Sequence, residues 1–150
     1  MESLQNSRIE LLALLADTSR HVDIMSPRLE PALFDDPEVT EALTALARRG
    51  RQTRIRVLLE GIEPIQLEGH RLLALARRLT TAMSVRVLNA HPEWNRETVV
   101  ICDRHAGLLL VPADKRSHVF ASRADAQRWS ETFDRLWLAA RETPELRQFQ

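Results

Sequence analysis

Two apolar runs joined by a short polar turn constrain this chain more than any other feature. Thr98-Val99-Val100-Ile101-Cys102 is rich in β-branched residues, Asp103-Arg104-His105-Ala106-Gly107 supplies turn chemistry, and Leu108-Leu109-Leu110-Val111 is apolar again. The stretch from Asn95 to Val111 therefore reads as a buried β-hairpin with a lone carboxylate, Asp103, at its turn.

The preceding residues supply the rest of a sheet. Ser7 to Ala16 places Ile9, Leu11, Leu12, Leu14 and Leu15 at helical spacing, and His21-Val22-Asp23-Ile24-Met25 alternates as a half-buried strand does. Ser26-Pro27-Arg28-Leu29-Glu30-Pro31 is expected to be loop, because each proline biases its predecessor away from helix. Asp35-Asp36-Pro37 then opens a helix with a capping carboxylate and a proline in the first turn, and Gly50 is expected to close it after Arg48-Arg49.

Arg54 to Leu59 is a second strand, Gly61 to Gly69 a loop, His70 to Leu79 an amphipathic helix, and Ser84 to Leu88 a third strand. Strand, helix, strand, helix, strand at this spacing implies right-handed crossovers. The expected fold is α/β: a mixed, mainly parallel sheet with helices on both faces, in a single domain over residues 1–150. After the hairpin, His118-Val119-Phe120 is a short edge strand. Ser122, with Asp125 three residues on, opens a long helix to about Arg141 whose stripe is Ala126, Trp129, Phe133, Leu136, Trp137 and Ala140. Thr143-Pro144-Glu145 begins a final turn of helix.

Composition removes several function classes. The 21 basic and 21 acidic residues cancel, so no overall field draws the protein to nucleic acid or an anionic membrane, and any such binding must be local. Residues 44–86 nevertheless carry Arg48, Arg49, Arg51, Arg54, Arg56, Arg71, Arg77, Arg78 and Arg86 against Glu60, Glu63 and Glu68. Solvated helix faces and internal ion pairs account for such a run, and so does a basic face meeting phosphate. That segment has no aromatic on which a base would stack, although Trp94 follows it.

Cys102 is the only cysteine and lies in an apolar run, which points to a buried, unreactive thiol and excludes disulfides within the chain. His21, His70, His91, His105 and His118 are scattered singly, so neither a metal nor another cofactor is expected. No phosphate-cradling glycine loop or Gly-x-Ser-x-Gly elbow is present. No apolar run approaches the roughly 18–20 residues that span a bilayer, which points to a soluble, cytoplasmic protein without a transmembrane segment. Twenty of the 21 basic residues are arginine, as a GC-rich, bacterial genome would produce.

The element order, the strand ending in Ser26-Pro27, the Gly69-His70-Arg71-Leu72-Leu73 helix and the apolar strand ending in Asp103 resemble one half of the phospholipase D superfamily. The resemblance runs from about Ile9 to the Phe133-Asp134-Arg135-Leu136-Trp137 helix. That family's signature is His-x-Lys, four residues, then Asp. In it the histidine attacks phosphorus, the lysine holds phosphate oxygens and the aspartate orients a histidine. Counting back from Asp103 puts Arg96 at the histidine position and Thr98 at the lysine position, while the family's later small polar patch would fall near Leu110, Val111 and Ala113.

Arginine stays protonated and offers no lone pair for attack, so no catalytic residue is assigned and the resemblance implies a catalytically inactive binding or assembly module. The guanidinium of Arg96 could still hold a phosphate bidentately. The ligand-binding set for a phosphate-bearing ligand is then Arg96, Asp103, His91 and His105. A surface pairing of Arg96 with Glu93 or Asp103, and an Asp103 that merely caps the turn, are the plainer alternatives.

A divergent phosphodiesterase or phosphatidyl transferase using His91 or His105, or a purely structural partner domain, are the other functions. Because the family brings two halves together, the resemblance implies a homodimer with the Asn95–Val111 hairpin near the two-fold axis and apolar residues at the contact.

Overall fold

A computed structural model describes residues 2–61, 70–111 and 116–142. Its elements are α1 (Glu2–Ala16), β1 (His21–Met25), α2 (Pro31–Phe34), α3 (Pro37–Ala47), β2 (Arg54–Leu59), α4 (Arg71–Arg78), β3 (Met83–Val87), β4 (Thr98–Cys102), β5 (Ala106–Leu110), β6 (Ser117–Phe120) and α5 (Arg123–Ala139). The expected turn at Thr143-Pro144-Glu145 and most of the Gly61–Gly69 loop lie outside the described residues. Two helix starts follow the local chemistry. Asp36 accepts from the Val39 N–H at 3.0 Å before α3, and Ser122 accepts from the Asp125 N–H at 3.1 Å before α5.

One six-stranded sheet runs in the order β3-β2-β1-β4-β5-β6. β1, β2 and β3 are parallel neighbours, as the strand–helix–strand repeat requires. The expected predominance of parallel pairing does not hold: β4 lies antiparallel to β1, and the β4-β5 and β5-β6 ladders are antiparallel too. The physical reason is the connections. The chain passes from β3 to β4 without a crossover helix, so β4 starts at the C-terminal end of the parallel strands and runs back along β1, and the connections after β4 and β5 are shorter than the dozen residues a parallel return needs. The sheet is mixed, and the longer-range prediction of helices on both faces is met.

Strand alternation assigns the two faces. Val22, Ile24, Ile55, Val57, Leu59, Met83, Val100 and Leu108 join one apolar cluster with α1 to α4. Met25, Leu58, Val99 and Ile101 join the other with Ala126, Phe133, Leu136 and Trp137 of α5. β4, buried at every position between β1 and β5, is the middle of the core.

A single helix must cover the second face, and the arginines of β2 and β3 fit it there. Asp23, buried on β1, accepts from Arg56 Nε at 2.8 Å, and Arg56 also reaches Asp134 of α5 at 3.0 Å. The Arg56 guanidinium lies 4.8 Å from the Phe133 ring centroid, and that of Arg86 lies 4.5 Å from the Trp137 centroid. Arg104 adds a 2.8 Å pair to Asp134. Partial burial would raise the Asp134 carboxyl, but its two arginines outweigh that and hold it below the usual range. Two arginines of the run, Arg56 and Arg86, therefore join the sheet to α5.

Three local boundaries shift. The loop expected over Ser26–Pro31 ends one residue early, and Pro31–Phe34 turns once into a short helix that buries Leu33 and Phe34. α3 ends at Ala47, with Arg48 rather than a left-handed glycine as its cap. His70 is not the first residue of α4 but its cap. Its Nδ1 accepts from the Leu72 N–H at 3.1 Å, and its Nε2 then donates to the Leu29 carbonyl at 3.0 Å. Burial depresses the His70 pKa against the raising effect of that carbonyl, so the neutral ring is the form that fits.

Candidate functional site

The hairpin's two ends do different work. β4 runs antiparallel to β1, so its first residue lies beside the C-terminal end of β1 and its last beside the N-terminal end. The five residues of β4, Thr98–Cys102, separate Arg96 at one end from Asp103 and His105 at the other, about 17 Å of strand. The four residues expected to share a phosphate therefore fall into two places: Arg96 with His91, and Asp103 with His105.

Asp103 is occupied by the backbone. Its Oδ2 accepts from the Ser19 N–H at 2.8 Å, and its Oδ1 from the N–H groups of Arg20 at 2.8 Å and His21 at 2.9 Å. Its own N–H returns a bond to the His21 carbonyl at 2.7 Å. Partial burial pushes the carboxyl up, but the three donors prevail and hold it below the ordinary range. The plainer alternative, a capping carboxylate, is the observed one, although what it caps is the entry to β1 as well as its own turn. Asp103 and Arg104 both have φ of 55°, a left-handed conformation that an aspartate tolerates. His105 sits exposed in the same turn, with its backbone N–H on the Cys102 carbonyl. Cys102 is buried and free, and burial lifts its thiol to about 11, as its apolar surroundings predicted.

At the other end, beyond the C-termini of β1, β2 and β3, lies a cleft of about 630 Å³ lined by Glu60, Ala90, His91, Pro92, Trp94, Asn95 and Arg96. In open α/β sheets this is the end at which ligands bind, because loops diverge there. Arg96 adopts φ of 65° and pairs with Glu60 at 2.7 Å rather than with Glu93 or Asp103. Glu93 instead pairs with Arg135 of α5 at 2.9 Å. His91 Nδ1 accepts from the Glu93 N–H at 3.1 Å, and Nε2 has no hydrogen bond among the described residues. Trp94 is buried and donates from Nε1 to the Glu97 carbonyl at 2.9 Å, fixing the cleft wall.

Thr98 is buried just below, and its hydroxyl shares a 3.0 Å hydrogen bond with that of Ser26 at the end of β1. Neither position that the family motif uses for chemistry presents a free nucleophile. Of the expected polar patch, Leu110 is a buried core residue and Ala113 lies outside the described residues. Sequence reasoning missed Glu60 and Ser26, whose partners are 36 and 72 residues away. It missed them because nothing local ties the ends of β1 and β2 to the start of β4.

Among the described residues, no group of three or more His, Cys, Asp or Glu could hold a metal ion, and no helix is long and apolar enough to cross a membrane. The hairpin strands lie inside the chain's own sheet, with β4 buried at every position and β5 at three of its five. The expected two-fold contact through the hairpin's apolar residues is therefore not available. Their side chains already form the core on both faces.

Comparison by structure gives two informative relatives. The chain superimposes on NucT from Helicobacter pylori, of the phospholipase D superfamily, with a TM-score of 0.71 at 10% identity, over 95% of this chain and 94% of that one. It superimposes on TrmBL2, an archaeal chromatin protein whose structure shows a novel mode of DNA binding, with a TM-score of 0.68 at 14% identity. That match covers 94% of this chain but 52% of TrmBL2, so the chain spans about half the length of that relative. At these identities the likeness is one of fold. A search of curated proteins by sequence finds no match. The fold is thus phospholipase D-like, and the sequence itself matches one family model over residues 3–149: the chain belongs to the domain family of unknown function DUF7931.

Proposed function

We propose that this chain is a catalytically inactive, phospholipase D-like binding module whose ligand is phosphate-bearing and enters the cleft at Arg96 and His91. The observation that carries this reading is the state of the two motif positions. Arg96 cannot attack phosphorus, and Thr98 is buried against Ser26. What remains is a guanidinium beside a 630 Å³ cleft, held by one carboxylate that a phosphate would have to displace. Nucleic acid is the favoured ligand class, because the phosphate backbone supplies most of such affinity without base-specific contacts and because TrmBL2 has this fold.

Fluorescence anisotropy with a labelled single-stranded and a labelled duplex DNA tests it. Association should weaken as salt rises, and Arg96→Ala should weaken it by about tenfold, in line with a charged hydrogen-bonding contact of roughly 1.5 kcal/mol. Glu60→Gln should strengthen it, since it removes the competing carboxylate. An absence of association with either DNA at low salt rejects the ligand class. Association that neither variant changes rejects the cleft.

We further propose that the chain self-associates through the Arg96 end of the sheet, where two clefts would face each other. Light scattering that returns 17.2 kDa at micromolar concentration rejects this.

A further inference from the structure

Seven of the nine arginines in residues 44–86 fall into two sets. Arg49 donates to the Thr18 carbonyl, Arg56 to Asp23 and Asp134, Arg71 to Asp35, and Arg86 to the Trp137 carbonyl. Arg48, Arg51 and Arg78 have no carboxylate partner among the described residues, and all three belong to one cleft. They line a cleft of about 370 Å³ between the C-terminal ends of α3 and α4, at the N-terminal ends of β2 and β3. No acidic side chain among the described residues lines it. Thr80 and Thr81 add exposed hydroxyls, and Gly50 leaves open space where another residue would carry Cβ.

Helix C-termini attract cations, and that alone could explain an arginine or two here. Each C-terminus carries about −0.5 charge, however, so two of them offset about one of three guanidinium charges. Roughly two positive charges are left in a concave, acid-free surface, which is the arrangement that concentrates an anion. Arginine forks match phosphate oxygens two at a time, and threonine hydroxyls can donate to the remainder.

We propose that this cleft is a second anion site, specific for a phosphate group, at the opposite end of the sheet from Arg96 and independent of it. The phosphate belongs to a small free molecule or to a nucleic-acid backbone. At 370 Å³ the cleft admits a group of nucleotide size without the chain having to open.

The test is a titration of the full chain with inorganic pyrophosphate, followed by amide NMR and calorimetry in a phosphate-free buffer. Binding should be no weaker than about 1 mM and should shift the amides of Gly50, Thr80 and Thr81. Gly50→Asp places a carboxylate in the cleft where nothing lies within 4 Å of the new Cβ, so melting should be unchanged while affinity falls at least about tenfold. Arg51→Gln should weaken binding in the same direction. The shifts of these three amides should titrate with the same midpoint whether or not the Arg96 cleft also takes up pyrophosphate, because that cleft lies at the other end of the sheet.

A duplex or single-stranded oligonucleotide that binds and shifts the same amides, more tightly than pyrophosphate does, assigns the phosphate to a nucleic-acid backbone. Tighter pyrophosphate binding assigns it to a small molecule. No shift at these amides, or a titration abolished by Arg96→Ala and untouched by Gly50→Asp, overturns this site and leaves the reading of the Arg96 cleft standing.

Discussion

Asp103→Asn separates a structural carboxylate from a ligand-binding one. Asparagine keeps the shape and tolerates the φ of 55°, so the backbone need not move. Its single carbonyl oxygen can still accept from Arg20 and His21, but its amide group then faces the Ser19 N–H, donor against donor. One charge-assisted hydrogen bond is lost and two are weakened. Bonds to charged groups are worth roughly 1.5–3 kcal/mol each, and partial exposure of this carboxylate places the total near about 2 kcal/mol. For a chain of this length that is a fall of about 4–8 °C in Tm, read by calorimetry or circular dichroism at neutral pH.

The pH dependence has a definite sign. The folded carboxyl is held below its ordinary value, so its contribution is complete above the unfolded pKa of about 3.9 and is lost as pH falls through the folded pKa. The gap between the two proteins should accordingly close in that acid window. DNA binding at neutral pH should be unchanged. A variant with unaltered Tm and impaired DNA binding would refute the structural assignment and put Asp103 in a ligand site.

Three other outcomes follow from the packing. Arg56→Met strands the buried Asp23 carboxylate and should cost about 3 kcal/mol in urea unfolding, much of it recovered in the Asp23→Asn/Arg56→Met double variant; a fully additive double variant would show that the pair is not coupled. The depressed His70 pKa means that its neutral form stabilises the fold fully above about pH 6.5 and less as pH falls through the folded value. His70→Asn keeps a capping side chain and should flatten urea midpoints measured across that range. Gly107→Ala would drive a methyl group into the Val100 carbonyl oxygen and the Phe120 ring between strands that cannot part, and should lower stability by about 3 kcal/mol; a melting curve matching the parent would show that β6 is not seated there.

Most of the architecture was legible locally. β1, β2 and β4 occupy the residues that alternation and β-branching indicate, and Asp36 and Ser122 cap the helices their chemistry announces. Sheet direction was less legible, because periodicity reports that a strand is buried and says nothing of which neighbour it pairs with. The arginine run illustrates the same limit. Arg56 and Arg48 look alike in sequence, yet one stacks on Phe133 above Asp23 and the other lines an acid-free cleft, a difference made by what α5 brings over the sheet.

The hairpin shows where the division falls. By itself the sequence determined that residues 98–111 make a buried strand pair with a carboxylate at the turn. Only the tertiary structure decided that Asp103 binds the backbone before β1 while Arg96 pairs with Glu60 beside a cleft at the far end. The physical reason is strand geometry. An extended strand carries residues that are neighbours in a motif to opposite edges of a sheet, and their partners are then chosen by the strands and loops that long-range pairing places beside them.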